Sequence, residues 1–215
     1  LTLGLGPSHR VVAEGRLGLA WDRPLLRVRE YLDVLQPVLR GSEVQVRGET
    51  TGATGGVLAP GAGEPSVLLA AHGPQMLALA GARTDGVITL WARPRHIADF
   101  IVPAVTADAS GPRPRIVVGV NACATVDPEA ARREVGERLA AAAALPSYRS
   151  SLDRQGLDGL EDTVVAGDES VVADAVRHYA EAGATELVLF ASGAPTDRAR
   201  TIAVFADLAR EFTPR

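Results

Sequence analysis

The sequence predicts an α/β protein built on a parallel sheet. Short, almost continuous apolar runs alternate with stretches of helical period. The runs lack the polar alternation of a strand with one wet face, so they read as strands covered on both sides. A helix signal follows each one, usually a proline or an acidic cap. Strand, helix, strand in that order makes neighbouring strands parallel. At 215 residues, 47% hydrophobic, the chain can bury one sizeable core as a single domain over 1–215.

The first predicted strand is 2–6, in "LTLGLGPSHR". Asp22 then offers a cap and Pro24 a first-turn proline. Leu25, Val28, Leu32, Leu35 and Leu39 fall on one face of the helix that follows, and Gly41 is its stop. The stretch 41–65 is Gly-rich without helical period. It reads as an insertion at about 41–66, with a small hairpin around "EVQVRGE". Strand 67–71 leads to a helix opening at Pro74, and strand 87–91 to one opening at Pro94, where Ile97, Ile101 and Ala104 share a side. Strand 115–121 precedes a helix capped by Asp127 with Pro128 in its first turn, running to about Ala144. "LPSYRSSLDRQG" is a short extra helix. A second extra helix is capped by Asp168, with Val172, Ala175, Val176 and Tyr179 toward the core. Strand 186–191 leads to a last helix opening at Pro195. Low-complexity tracts and solenoid repeats are absent.

Composition narrows the chemistry. All 22 basic residues are Arg, which excludes a lysine Schiff base and the Gly-Lys-Ser/Thr phosphate loop. A net charge of −4 without a basic stripe argues against nucleic acid. No apolar run approaches the ~18–20 residues that span a bilayer, and no secretory signal is visible within these 215 residues. The lone Cys123 can form neither an internal disulfide nor a Cys-rich zinc site. No two-His motif with a carboxylate is present, so no metal is expected, and a reducing, cytoplasmic setting fits. The Ala-, Gly- and Arg-rich usage suits a GC-rich, actinobacterial-like genome. "GLGPSH" supplies Gly4 and Gly6 but has His9 where a dinucleotide fingerprint needs its third glycine. "ASGAP" lacks the Gly-x-Ser-x-Gly of a hydrolase elbow. The residues alone leave an open doubly wound sheet and a barrel both standing.

Five segments, "LTLGLGPSHR", "RPLLRVREYLDVLQPVLRG", "VLLAAHGPQMLALAGARTDGVITLWARP", "LPSYRSSLDRQG" and "VVAGDESVVADAVRHYAEAGATELVLF", together resemble the luciferase-like monooxygenase superfamily. Within it they are similar to the coenzyme F420-dependent oxidoreductase branch. The resemblance implies a (β/α)8 TIM-barrel fold, of which this chain holds an incomplete barrel, strands 4–8 and their helices. The first three βα units, on the order of 90 residues at ~30 per unit, are then lacking. Two strand edges would lie open, and a homodimer is one way to cover them.

Barrel ligands sit at the C-terminal ends of the strands. The candidate loops are therefore 7–10, 72–75, 91–93, 121–123 and 192–195. Gly6 and Ser8 belong to the first, where glycine admits close approach. His9 is the catalytic candidate, an acid–base side chain with an ordinary pKa near ~6.5. Some F420-dependent relatives that act on sugar phosphates carry a Glu at that place; His9 departs from that pattern, so neither that substrate nor that residue's role is carried over. Ala71, His72, Gly73, Pro74 and Gln75 form the cofactor candidate, a strand end opening into a helix whose free N–H groups favour anions. Arg93, Arg95 and His96 are read either as an anion contact for a cofactor tail, since Arg binds phosphate bidentately, or as a solvated basic cluster. Trp91 is a pocket or core residue, Cys123 is buried and inert, and His178 is at the surface. The resemblance implies an oxidoreductase using coenzyme F420 for hydride transfer with a small organic substrate. FMN with molecular oxygen is the alternative. A non-catalytic flavin-binding remnant is the other, because the lacking units supply part of the family's ring pocket and its usual catalytic His.

Overall fold

The computed structural model describes residues 1–58, 60–61, 63–109 and 111–212. The elements run β1 (Thr2–Leu5), α1 (Arg10–Leu17), α2 (Pro24–Leu39), β2 (Val44–Arg47), β3 (Gly52–Gly55), β4 (Ser66–Ala70), α3 (Pro74–Arg83), β5 (Gly86–Leu90), α4 (Pro94–His96), a π-helical turn (Ile97–Ile101) and α5 (Val102–Thr106). They continue with β6 (Arg115–Ala124), α6 (Pro128–Ala143), α7 (Pro146–Arg154), a 3₁₀ turn (Leu160–Thr163), β7 (Val165–Gly167), α8 (Glu169–Glu181), β8 (Glu186–Ala191) and α9 (Pro195–Phe212).

Strands pair in parallel in the order β1-β4-β5-β6, with β8 on the far side of β6 and β7 beside its last residues. The sheet is curled rather than flat, and Arg115 demonstrates it. Its guanidinium makes a two-armed pair with Glu186 on adjacent β8, at 2.6 and 2.7 Å, and also reaches Thr2 Oγ1 on β1 at 3.2 Å. Strands β4 and β5 separate β6 from β1, so a flat sheet would hold those strands about 14 Å apart at ~4.8 Å per step. One side chain closes that gap only if the sheet bends inward. Of the two architectures the residues left standing, the chain therefore adopts the barrel-like curl, as half a barrel.

The convex face carries the main core. Val67, Leu69, Val87, Ile116, Val118 and Val120 point outward from the sheet under Leu32, Leu77, Ile97, Ile101, Val105 and Val172 of the helices. Close approach shapes this layer. A Cβ on Gly81 of α3 would lie 1.8 Å from the Val105 carbonyl oxygen of α5, so only glycine fits there. On the concave face Val188 and Phe190 of β8 are nearly half exposed. Among the described residues, β1 and β8 each keep one edge unpaired.

The 41–65 excursion contains the expected hairpin, β2–β3, and a buried carboxylate pins it. Glu30 of α2 accepts the N–H groups of Glu49, Thr50 and Thr51 at 2.7–2.9 Å and the Thr50 hydroxyl at 2.6 Å. Four donors on one carboxylate hold its pKa at about 2, with the Thr50 hydroxyl bond the largest cause.

Several expectations need correction. Arg23, in the left-handed region at φ 44, is the N-cap of α2; Asp22 instead pairs with Arg23 and Arg27. Helix α1 was not foreseen. Its N-cap His9 makes no side-chain cap bond, and Gly15 interrupts its face. The helix after Pro94 is not regular. Val102 N–H reaches back five residues to Ile97, and Pro103 next brings no N–H to the ladder. Residues 121–123 are not a loop: β6 runs to Ala124, and Asn121, Ala122 and Cys123 are buried in it.

Candidate functional site

The loops after β1 and β4 open into one cavity of about 1220 Å³, walled on its far side by the start of α7. All eight residues singled out from sequence line it: Gly6, Ser8, His9, Ala71, His72, Gly73, Pro74 and Gln75. Parallel pairing explains the convergence. Leu5 faces Leu69 across β1 and β4, so both strands end at the same level and their loops open side by side.

The first wall is the β1–α1 turn. Gly6 packs close to β4, where an added Cβ would meet Ala70 Cβ at 3.0 Å. Ser8 sits at φ 60, an uncommon conformation for a residue with a side chain. Trp21 braces the turn by donating its indole N–H to the Pro7 carbonyl at 2.8 Å, with the Arg10 guanidinium 5.4 Å above its ring. Because the His9 ring does not cap α1, it is free to face the cavity. Partial burial lowers its pKa below 6.5, so it stands neutral at pH 7.

The second wall is the β4–α3 turn. Gly73 is the N-cap of α3, at an ordinary φ of −102, and nothing lies within 4 Å of where its Cβ would be. The fold therefore places no demand for glycine there. Pro74 has no N–H, and Leu77 is the first helical donor, bonding the Gly73 carbonyl. The Gln75 and Met76 N–H groups have no protein acceptor among the described residues and remain available to an anion. His72 is held neutral, its pKa lowered to about 4 by burial first and then by His9, His96 and Arg154. Its Nδ1 lies 3.4 Å from Thr89 Oγ1, and its carbonyl accepts from Arg154 at 3.2 Å.

The third wall was missed. Tyr148 of α7 touches three rings: His9 at 5.0 Å, His72 at 4.9 Å edge-on and Trp91 at 4.5 Å between centroids. Neighbouring Ser147 Oγ is 3.4 Å from His9 Nδ1. Burial raises the Tyr148 phenol, so with both imidazoles neutral this corner is an uncharged aromatic surface. An aromatic in the polar stretch "PSYRSS" was the one available signal.

The remaining candidates separate. Trp91 is 8% exposed and packs on Leu152, Leu157 and Leu160, outside the cavity lining and in the left-handed region at φ 56. Arg93, Arg95 and His96 line a second groove instead. Cys123 is fully buried with its thiol pKa raised by burial, and His178 is exposed. Among the described residues no group of three or more His, Cys, Asp or Glu side chains could hold a metal ion, and no helix is long and apolar enough to cross a membrane.

A family profile described as luciferase-like monooxygenase matches residues 1–186. The 5,10-methylenetetrahydromethanopterin reductase of Methanolobus tindarius is 30% identical over 169 residues, 77% of this chain. The match takes in 51% of that relative, so the chain spans about half its length. Among solved structures, the coenzyme F420 dependent tetrahydromethanopterin reductase from Methanopyrus kandleri superposes with a TM-score of 0.77 at 19% identity, over 99% of this chain and 74% of that one. An F420-dependent secondary alcohol dehydrogenase, solved with an F420-acetone adduct, gives 0.76 at 16% identity, over 99% and 70%. At those identities the structures establish the shared fold.

Proposed function

From the premise that this chain belongs to the luciferase-like monooxygenase family, we propose that it is an oxidoreductase that uses coenzyme F420 to move hydride to or from a small organic substrate, with the cofactor ring in the cavity between the β1 and β4 loops. The observation that carries this reading is the convergence of Gly6, Ser8, His9 and 71–75 on that cavity. The names of the relatives, one a methylenetetrahydromethanopterin reductase and two F420-dependent enzymes, support the choice of cofactor.

The residues present fit a flat ring with an anionic tail. A cavity of about 1220 Å³ has room for such a ligand. The unobstructed Cα of Gly73 allows close contact, and two free N–H groups follow it. When bound, the deazaflavin supplies the hydride donor or acceptor. The protein supplies the rest. Neutral His9 accepts a proton at neutral pH, its Nδ1 steadied by Ser147 and its Nε2 left for the substrate. His72, neutral throughout the physiological range, acts as a wall rather than a proton carrier. Tyr148 and Trp21 shield the ring site from water. We extend the proposal to the free edges of β1 and β8, which a homodimer would cover; light scattering that gives twice the 22.4 kDa chain mass supports that part, and a monomer refutes it.

Titration with F420 and with FMN, followed by fluorescence, tests the reading. Micromolar binding of F420 alone is expected. FMN bound in its place transfers the chain to the monooxygenase side of the family, and binding of neither makes it a non-catalytic member.

A further inference from the structure

Helix α7 does more than wall the cavity. Its residues reach the loops that follow three different strands. Arg154, at its C-terminal end, donates to the His72 carbonyl after β4 at 3.2 Å. Gln155, the next residue, accepts the Arg93 backbone N–H at 2.9 Å and donates to the Trp91 carbonyl after β5 at 3.0 Å. Ser147 and Tyr148, in its first turn, meet the His9 ring after β1. One helix thereby fixes three loops of the mouth relative to one another.

Trp91 is the strained member of this set. It sits at φ 56, a conformation that a bulky side chain rarely adopts and that persists only where the surroundings over-determine it. Here Gln155 holds its carbonyl, and its ring packs on Leu152, Leu157 and Leu160. In that place the indole lies 4.5 Å from the Tyr148 ring. Tyr148 in turn lies 5.0 Å from His9 at a tilt of 49°, and 4.9 Å from His72 edge-on. The strained residue backs the aromatic side chain that both imidazoles touch.

His9 needs such support, because its own turn gives its ring none. The ring makes no cap bond to α1. Among the described residues its only hydrogen-bond and ring-contact partners are Tyr148 and the Ser147 Oγ, which stands 3.4 Å from Nδ1, at the long end of a hydrogen bond. Ser147 lies 138 residues further along the chain. Its hydroxyl can accept as well as donate. The Tyr148 hydroxyl has no partner among the described residues, so the ring and not the O–H makes the contacts. An imidazole that accepts a proton at Nε2 must carry its own proton on Nδ1, and the partner of Nδ1 decides that tautomer. A freely solvated neutral imidazole prefers the opposite one, with the proton on Nε2.

We propose that Ser147 and Tyr148 are positioning residues for His9: Tyr148 sets the plane of the imidazole, and Ser147 Oγ accepts Nδ1–H, which leaves the Nε2 lone pair for the cavity. What that lone pair accepts rests on the oxidoreductase reading; the tautomer rests on the α7 contacts alone.

The test needs no substrate. The chain is labelled with 15N-histidine, and the His9 signals are picked out among its four histidines by their loss in His9→Gln. Spectra are taken at about pH 8, where an ordinary histidine is neutral. The protonated and bare nitrogens of a neutral imidazole resonate far apart, so the tautomer is read directly. The wild type should carry the proton on Nδ1. Ser147→Ala should move it to Nε2 with an unchanged melt, because Ser147 is exposed. Tyr148→Phe keeps the ring and should match the wild type, whereas Tyr148→Leu should give averaged shifts from a mixture of tautomers. A merely structural role for Tyr148 would lower the melting temperature of the Leu variant and leave the tautomer as it was. If Tyr148→Leu does not fold, Tyr148→Met, which fills the same space with a flexible chain, takes its place. A wild type protonated on Nε2, or a Ser147→Ala spectrum identical to a wild type protonated on Nδ1, overturns the proposal. A change in Ser147→Ala with none in the Leu or Met variant overturns the part assigned to Tyr148. F420 titration of the same samples separates the two claims. The expected tautomers without F420 binding uphold the positioning while the F420 reading fails, and F420 binding with the contrary tautomer does the reverse.

Discussion

Replacing Gly73 by Ala separates a ligand requirement from a folding requirement. The position has φ −102 and ψ 155, which any residue adopts, and its added Cβ meets nothing within 4 Å. Two opposing stability effects are expected. Ala is a poorer N-cap than Gly, by up to about 1 kcal/mol. Ala also restricts the unfolded chain, a gain of about 0.4–1 kcal/mol. The net is near zero, and Tm should move by no more than about 2–4 °C for a domain of this size. Binding is different if a ring or phosphate packs against the bare Cα. The methyl then occupies ligand space, and forcing an extra carbon into a packed contact costs about 1–3 kcal/mol, roughly 5- to 150-fold in Kd. The assay is fluorescence titration with F420 beside a thermal melt. Gly6→Ala is the contrasting variant, because its Cβ would crowd Ala70 at 3.0 Å and alter the protein itself. An unchanged Kd in Gly73→Ala would show that no ligand approaches this turn.

Two further outcomes follow from the histidines. His9→Gln should lower turnover by about 10²–10⁴-fold while leaving F420 affinity within a few fold; because burial lowers the His9 pKa, wild-type kcat/KM should fall on acidification below pH 6.5 and stay level above it, and a His9→Gln profile with the same acid limb would contradict the role. His72 links pH to stability. Its pKa is about 4 in the fold against 6.5 in the unfolded chain, so the native state is fully favoured above pH 6.5 and loses up to roughly 3 kcal/mol as pH falls to 4. Urea melts of His72→Gln should show a correspondingly flatter decline over that window, and identical curves for the two proteins would refute it.

What could be read from the sequence was local. The strands were legible because sheets covered on both faces need unbroken apolar runs, and the prolines at 74, 94, 128 and 195 mark real helix starts. Asp127 and Asp168 cap as their positions suggest. Helix α1 was not legible, since a histidine without a cap bond opens it and its only buried residue is Ala13. Strand β7, at three residues, is too short to show a period. The eight cavity residues were found because a parallel sheet sends its loops to one end, a rule that needs no coordinates. Tyr148 needed them: its place against His9, His72 and Trp91 joins segments more than 50 residues apart in the chain. The curl of the sheet was not in the residue pattern, which left an open sheet and a barrel both standing; the family resemblance implied the barrel, and the reach of Arg115 to Thr2 bears it out.

On the proposed function, the β1 and β4 loops hold a planar redox ring. A crystal structure of the chain soaked or grown with F420 tests it most directly. Density for the deazaflavin ring between Gly6 and Gly73, in contact with Tyr148, is the predicted result. Density at another surface, or a cavity that stays filled by protein side chains at saturating cofactor, would contradict it.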